Sequence, residues 1–96
     1  MVKIGILREE KVKTDMRVPF SPDQCKFLQE KFNIKIYCQS SKRRCFSDNE
    51  YRKKNIEVLK DISNCDIFFG VKEIDENKII SGKKYFFFSH TIKEQE

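Results

Sequence analysis

Residues 66–71, DIFFGV, and residues 84–89, KYFFFS, decide the fold. Each is a continuous apolar run of strand length, the pattern of a strand covered on both faces in a parallel sheet. Toward the N-terminus, residues 2–7 (VKIGIL) form a third short apolar run, rich in β-branched side chains, and read as the first strand. Residues 34–38 (IKIYC) alternate in part and suit a strand near a sheet edge, while residues 56–59 (IEVL) form a brief extended segment. Helix signals lie between these runs. Ser21, followed by Pro22 and by Gln24 three positions on, is a capping box with proline at the first helical position, and it predicts a helix over 22–31. The apolar positions Cys25, Leu28 and Phe32, with Phe27 beside them, have the spacing of a one-sided amphipathic helix. Ser47 with Glu50 is a second capping box, opening a short helix through residue 54. Strands alternating with helical stretches predict an α/β domain of three layers, its sheet mostly parallel, with residues 2–7, 66–71 and 84–89 parallel in it.

Composition narrows what such a domain can do. Ninety-six residues, 39% hydrophobic and 12% aromatic, fit one small domain with one core and exclude two complete domains. The longest apolar run, residues 85–88, is far short of the ~20 residues that span a bilayer, so no membrane crossing is expected. The first ten residues reach charges quickly and lack a secretion signal's apolar region, which predicts a cytoplasmic protein. The net charge of +5 comes from basic residues scattered among acidic ones. Its densest group, Lys42, Arg43 and Arg44, is one short cluster without interleaved aromatics, so no nucleic-acid partner is expected. Cys25, Cys38, Cys45 and Cys65 are separated by 13, 7 and 20 positions and contain no C-x-x-C pair, so no metal site is expected and the cysteines read as reduced, structural thiols. The sequence reaches Gln95 and Glu96 just after a strand, with no closing helix beyond a start at Thr91, and so reads as a partial domain.

In open parallel sheets, ligands bind outside the carboxyl ends of the strands, where loops and helix N-termini converge. Lys72 and Glu73 follow the strand at 66–71, His90 follows the strand at 84–89, and Arg8 and Arg17 lie after the first strand. Three strands are thus expected to deliver polar groups to one rim. Each residue also has an ordinary reading: a histidine bonded to neighbouring backbone, a solvated strand-end lysine, an arginine in a surface salt bridge.

The ordered blocks IGILREEK, RVPFSPDQ, CFSDNEYR, DIFFGVKE and KKYFFFSHTIKEQ cover nearly the whole chain, and together they resemble the N-terminal domain shared by alanine dehydrogenase, the transhydrogenase α subunit and saccharopine dehydrogenase. GVKE paired with YFFFSHTIK and a following glutamine is most similar to the lysine-ketoglutarate reductase and lysine-forming saccharopine dehydrogenase branch. Alanine dehydrogenases usually have proline after the Lys-Glu pair, where this chain has Ile74. The resemblance implies a flavodoxin-like or Rossmann-like domain of an NAD(P)-dependent amino-acid dehydrogenase, with amino-acid and 2-oxo-acid substrates. It implies Lys72 and His90 as catalytic acid–base groups, Arg17 as a ligand of substrate carboxylate, and Glu73 at the substrate beside Lys72. A guanidinium suits a carboxylate's fork geometry, and a partly desolvated lysine among cations can titrate near working pH. Only Gly5, Gly70 and Gly82 occur, so no G-x-G-x-x-G loop exists and the NAD or NADP site is expected in the remainder of the same polypeptide. Self-association into a homo-oligomer is compatible with this reading. An alanine dehydrogenase domain is the nearer alternative, and a small α/β binding module that kept the fold and lost catalysis is the more distant one.

Overall fold

The computed structural model describes residues 1–9, 18–42, 44–71 and 79–88. Seven elements follow in order: β1 (Val2–Ile6), α1 (Pro22–Lys31), β2 (Ile34–Gln39), α2 (Asp48–Lys53), β3 (Glu57–Leu59), β4 (Ile67–Gly70) and β5 (Lys84–Phe87). The strands form one sheet in the order β3-β2-β1-β4-β5, and every neighbouring pair is parallel. The three apolar runs therefore lie parallel in one sheet, as their sequences predict. The brief segment at 56–59 becomes a full edge strand, which puts β2 one place inside the edge.

Registers place Ile4 and Ile6 of β1 beside Ile36 and Cys38 of β2 and beside Ile67 and Phe69 of β4. Because side chains alternate across a strand, this row defines one face of the sheet. Both helices cover that face: Cys25 of α1 and Tyr51 of α2 are fully buried against Ile6, Ile36, Cys38, Ile56 and Val58. Each such side chain contributes ~1.5 to 3 kcal/mol by leaving water. α1 begins as its sequence predicts, with Ser21 Oγ accepting the Gln24 amide at 3.2 Å and Gln24 Oε1 accepting the Ser21 amide at 2.8 Å. α2 begins on Ser47, whose Oγ accepts the Glu50 amide at 3.2 Å.

The opposite face is covered differently. Parallel strands are usually joined by crossovers of a dozen or more residues, most often helical. Here residues 60–66 run from edge strand β3 past β2 and β1 to β4 with no helix, and they plug Ile62 and Cys65 against Phe68, Leu7, Tyr37 and Tyr85. This strap forms the third layer among the described residues. Gly5 admits it, because a Cβ there would lie 3.0 Å from Ile62 Cδ1, 3.0 Å from Phe68 Cδ1 and 3.2 Å from Cys65 Sγ.

Two expectations are corrected. Among the described residues the run at 84–89 is not a strand covered on both faces: β5 lies at the sheet edge, and Phe86 and Phe88 are 48% and 49% exposed. Nor does the apolar stripe of α1 extend to Phe32, which is the extended C-cap residue at 52% exposure, while Phe27 is 58% exposed. The helix ends at Lys31, so the buried stripe is Pro22, Cys25 and the partly buried Leu28.

Candidate functional site

The order β3-β2-β1-β4-β5 has its reversal point between β1 and β4, where consecutive strands leave in opposite directions from β1. In such sheets the reversal point, outside the carboxyl ends of the strands, is the usual ligand position. Arg17, Lys72, Glu73 and His90, the four predicted site residues, lie outside the described residues. Their described neighbours converge on this part of the rim. Phe20, three residues after Arg17, packs edge-to-face on Phe69, three residues before Lys72, with ring centroids 5.2 Å apart. It also meets Phe88, two residues before His90, at 5.7 Å, and Phe69 and Phe88 are 6.2 Å apart. Pro19 and Val71 are buried beside them in the chain. Tyr51 anchors Phe20 from α2 by donating its hydroxyl to the Phe20 carbonyl at 2.7 Å. Burial pushes the Tyr51 hydroxyl's pKa up, so it stays a donor.

The β1–β2 side of the rim is held by a polar network. Arg8 donates its backbone amide to Gln39 Oε1 at 3.0 Å and a guanidinium N–H to the Ser40 carbonyl at 3.1 Å. Gln39 Nε2 reaches the Lys60 carbonyl at 3.4 Å. Arg44 donates Nε to the Phe46 carbonyl at 2.9 Å and Nη1 to the Gln39 carbonyl at 2.6 Å, and it pairs with Asp48 through Nη2. Asp48 also accepts the Ser40 hydroxyl at 2.7 Å and the Ser41 amide at 3.1 Å. Burial alone would raise its pKa; the Ser40 and Ser41 hydrogen bonds and the Arg44 and Arg52 charges outweigh burial and hold it lowered, so Asp48 is an anion. The side chain of Arg44 is only 6% exposed and its guanidinium lies 4.7 Å over the Tyr51 ring. Read in sequence as one of a short basic cluster, Arg44 is an internal brace in the structure. Its spacing of four from Asp48 was a usable signal, whereas the role of Gln39 depends on strand register and left none.

Two cavities adjoin this framework. A mainly apolar groove of about 340 Å³, lined by Phe20, Asp23, Gln24, Phe27 and Leu28, runs from the aromatic cluster along α1. A second of about 230 Å³ lies near the strap, between Lys3, Tyr37 and Ile62, and includes none of the rim residues. Among the described residues, no group of three or more His, Cys, Asp or Glu is placed to hold a metal ion, and no helix is long and apolar enough to cross a membrane. All four cysteines are free thiols, with Cys25, Cys38 and Cys65 buried and Cys45 exposed.

Residues 5–96 match the family model described as alanine dehydrogenase/PNT, N-terminal domain. The chain belongs to this family. Within it, the chain is similar to the mitochondrial alpha-aminoadipic semialdehyde synthase of Rattus norvegicus, 40% identical over 93 residues, which is 97% of the chain and 10% of the relative. The Bos taurus protein of the same name is equally similar, at 40% identity over 93 residues. The Arabidopsis thaliana alpha-aminoadipic semialdehyde synthase is 33% identical over 98 residues, covering 97% of the chain and 9% of the relative. The chain thus spans about a tenth of the length of the curated relatives it matches. As a member of the alanine dehydrogenase/PNT N-terminal family it carries a five-stranded parallel sheet whose reversal point is framed by Phe20, Phe69 and Phe88.

Gly5 and Gly70 do not fit a dinucleotide-cradling loop. A loop that cradles a pyrophosphate needs glycines where backbone must approach the phosphates. Here the space at Gly5 is filled by Ile62, Phe68 and Cys65, the space at Gly70 by Phe87 at 3.1 Å, and β1 leads into Leu7, Arg8 and Glu9. Both glycines serve side-chain packing.

Proposed function

We propose that this domain is the substrate-side part of an NAD(P)-dependent amino-acid dehydrogenase of the saccharopine dehydrogenase or lysine-ketoglutarate reductase type, carrying out reversible reductive amination. The observation that supports it most is the contact of Phe20, Phe69 and Phe88, because these rings tie together the chain segments next to Arg17, Lys72 and His90 at the reversal point. Similarity to alpha-aminoadipic semialdehyde synthases over 97% of the chain supports the choice of branch. In this reading Arg17 binds a substrate carboxylate in fork geometry. Lys72 and His90 move protons to and from the substrate nitrogen and the water lost when the imine forms, and Glu73 lies at the substrate beside Lys72. The nicotinamide supplies hydride. Its site is expected in polypeptide outside these 96 residues, since they contain no G-x-G-x-x-G loop and Gly5 and Gly70 are packed, and these residues without it should not turn over.

The full-length protein should oxidise NADH or NADPH when given lysine and 2-oxoglutarate. Lys72→Ala and His90→Ala should each lower kcat by ~10² to 10⁴. Arg17→Ala should mainly raise KM for the carboxylate substrate, since it removes binding made in ground and transition states alike. Wild-type kcat in both acid–base variants would sink the mechanism. Turnover with pyruvate and ammonia in place of lysine and 2-oxoglutarate would select the alanine dehydrogenase reading. The cytoplasmic location expected from the sequence stays part of this proposal; the rat and mouse relatives are named as mitochondrial.

A further inference from the structure

Between the strap and the β1-β2-β3 part of the sheet lies the cavity of about 230 Å³, lined wholly by described residues. Its two ends carry opposite charge. Lys3 of β1 stands at one, while Glu57, the first residue of β3, and Asp61, two residues past the end of β3, stand at the other. Registers pair Lys3 with Lys35 and Tyr37 with Glu57, so β2 lies between the cation and the carboxylates, and two strand spacings set the ends ~10 Å apart across the sheet. Lys35, on the Lys3 side, adds a second cation 5.8 Å from the centroid of the Tyr37 ring. The lining between the ends is apolar, from Tyr37, Leu59 and Ile62. Hydrogen bonds from Ser63 hold the Asp61 carboxyl below the usual carboxylate range, so it is an anion at neutral pH. Among the described residues, no ion pair joins Lys3, Glu57 or Asp61 to another protein group.

An apolar trough ended by unpaired charges of opposite sign matches a ligand of the same polarity, whereas a lone anion or a lone cation leaves one end unanswered. The volume lies below the ~300 Å³ at which pockets for drug-sized molecules begin, so the ligand is small. We propose that this cavity binds a small aliphatic amino acid, with its carboxylate at Lys3, an ammonium group at Glu57 and Asp61, and its methylenes against Tyr37 and Leu59. The site is separate from the Phe20, Phe69 and Phe88 cluster and does not rest on the reading of the rim.

Because the ligand would tie the strap to the sheet, amide hydrogen exchange of residues 60–66 reports its binding without any turnover. L-lysine titrated into the full-length protein should slow that exchange. Cadaverine, which carries only cations, and 2-oxoglutarate, which carries only carboxylates, should have far less effect at the same concentration. Lys3→Met and Glu57→Gln should each raise the lysine concentration for half-maximal protection by ~10-fold, the low end for hydrogen bonds to charged groups, since these groups are open to water before binding. Lys3→Arg keeps the charge and should stay near wild type. Exchange in residues 60–66 that L-lysine leaves unchanged would overturn the assignment, as would equal protection by cadaverine or 2-oxoglutarate. Lysine held only at the rim would protect Lys3→Met and Glu57→Gln as well as wild type, and that result would also refute the site. If the full-length protein does not turn over lysine while the strap is protected in this charge-dependent way, the reading of the rim fails and the amino-acid site stands.

Discussion

Tyr51 joins the two halves of the structure through one side chain. Its ring is fully buried among Ile6, Ile36 and Cys38, under the Arg44 guanidinium, while its hydroxyl holds the Phe20 carbonyl at 2.7 Å and so anchors the aromatic cluster of the rim. Tyr51→Phe keeps the packing and leaves that carbonyl without its donor, a change that typically costs ~1 kcal/mol. The midpoint of urea unfolding should fall accordingly with an unchanged slope, and a midpoint identical to wild type would mean that water replaces the hydroxyl without loss. Arg44 teaches a related lesson about what a single sequence conveys. Beside Lys42 and Arg43 it reads as one of a short basic cluster, and nothing there marks its side chain as almost wholly buried, with Asp48, two backbone carbonyls and an aromatic face supplying what a guanidinium needs.

Among the elements, those governed by local rules were legible. Ser21, Pro22 and Gln24 specify the start of α1 within four residues, because a cap satisfies orphan amides close in sequence. The three apolar runs specify strands, and the helices between the first two of them point to parallel pairing. The edge position of β5 was not legible: Phe86 and Phe88 look like core residues in sequence, and only the strand order reveals that nothing pairs beyond them among the described residues. The strap at 60–66 was equally invisible, since its length falls below that of an ordinary crossover and its path depends on Gly5 in another strand. Gly5 therefore carries a prediction. Gly5→Ala places a methyl within 3.0 Å of Ile62 and Phe68 and should destabilise by ~1 to 3 kcal/mol through overpacking, read as a lowered denaturation midpoint. Shortening the facing side chain, Ile62→Val, should lessen the penalty in the double variant. A stabilised Gly5→Ala protein would mean that the strap yields freely.

For the molecule as a whole, the buried thiols link stability to alkaline pH. Burial pushes Cys25 up from 9.0 to about 12, helped by its neighbour Cys38, and burial likewise pushes Cys38 up to about 12. In the unfolded chain these thiols ionise near 9.0, while in the fold they keep their protons to about 12. Over that window the unfolded state binds fewer protons, so stability is fully present below pH 9.0 and is lost as pH rises toward about 12. Each group can contribute at most ~1.4 kcal/mol per pH unit. Urea midpoints should hold steady below pH 9.0 and decline above it, with a shallower decline in Cys38→Ala; a profile flat from pH 9.0 upward would contradict the burial of these groups. The placement of β1 between β2 and β4 bears on how the chain is made. β1 is synthesised first, yet Asp66, which pairs with Lys3 at the β4 side, lies 63 positions later. At ribosomal rates of ≈ 5–20 residues per second, that interval lasts on the order of 3 to 13 s. For those seconds the most apolar strand of the N-terminus carries a bare, adhesive edge in the company of other nascent chains. The yield of folded protein should thus depend on translation speed and chaperone supply, a vulnerability written into strand order rather than into any one residue.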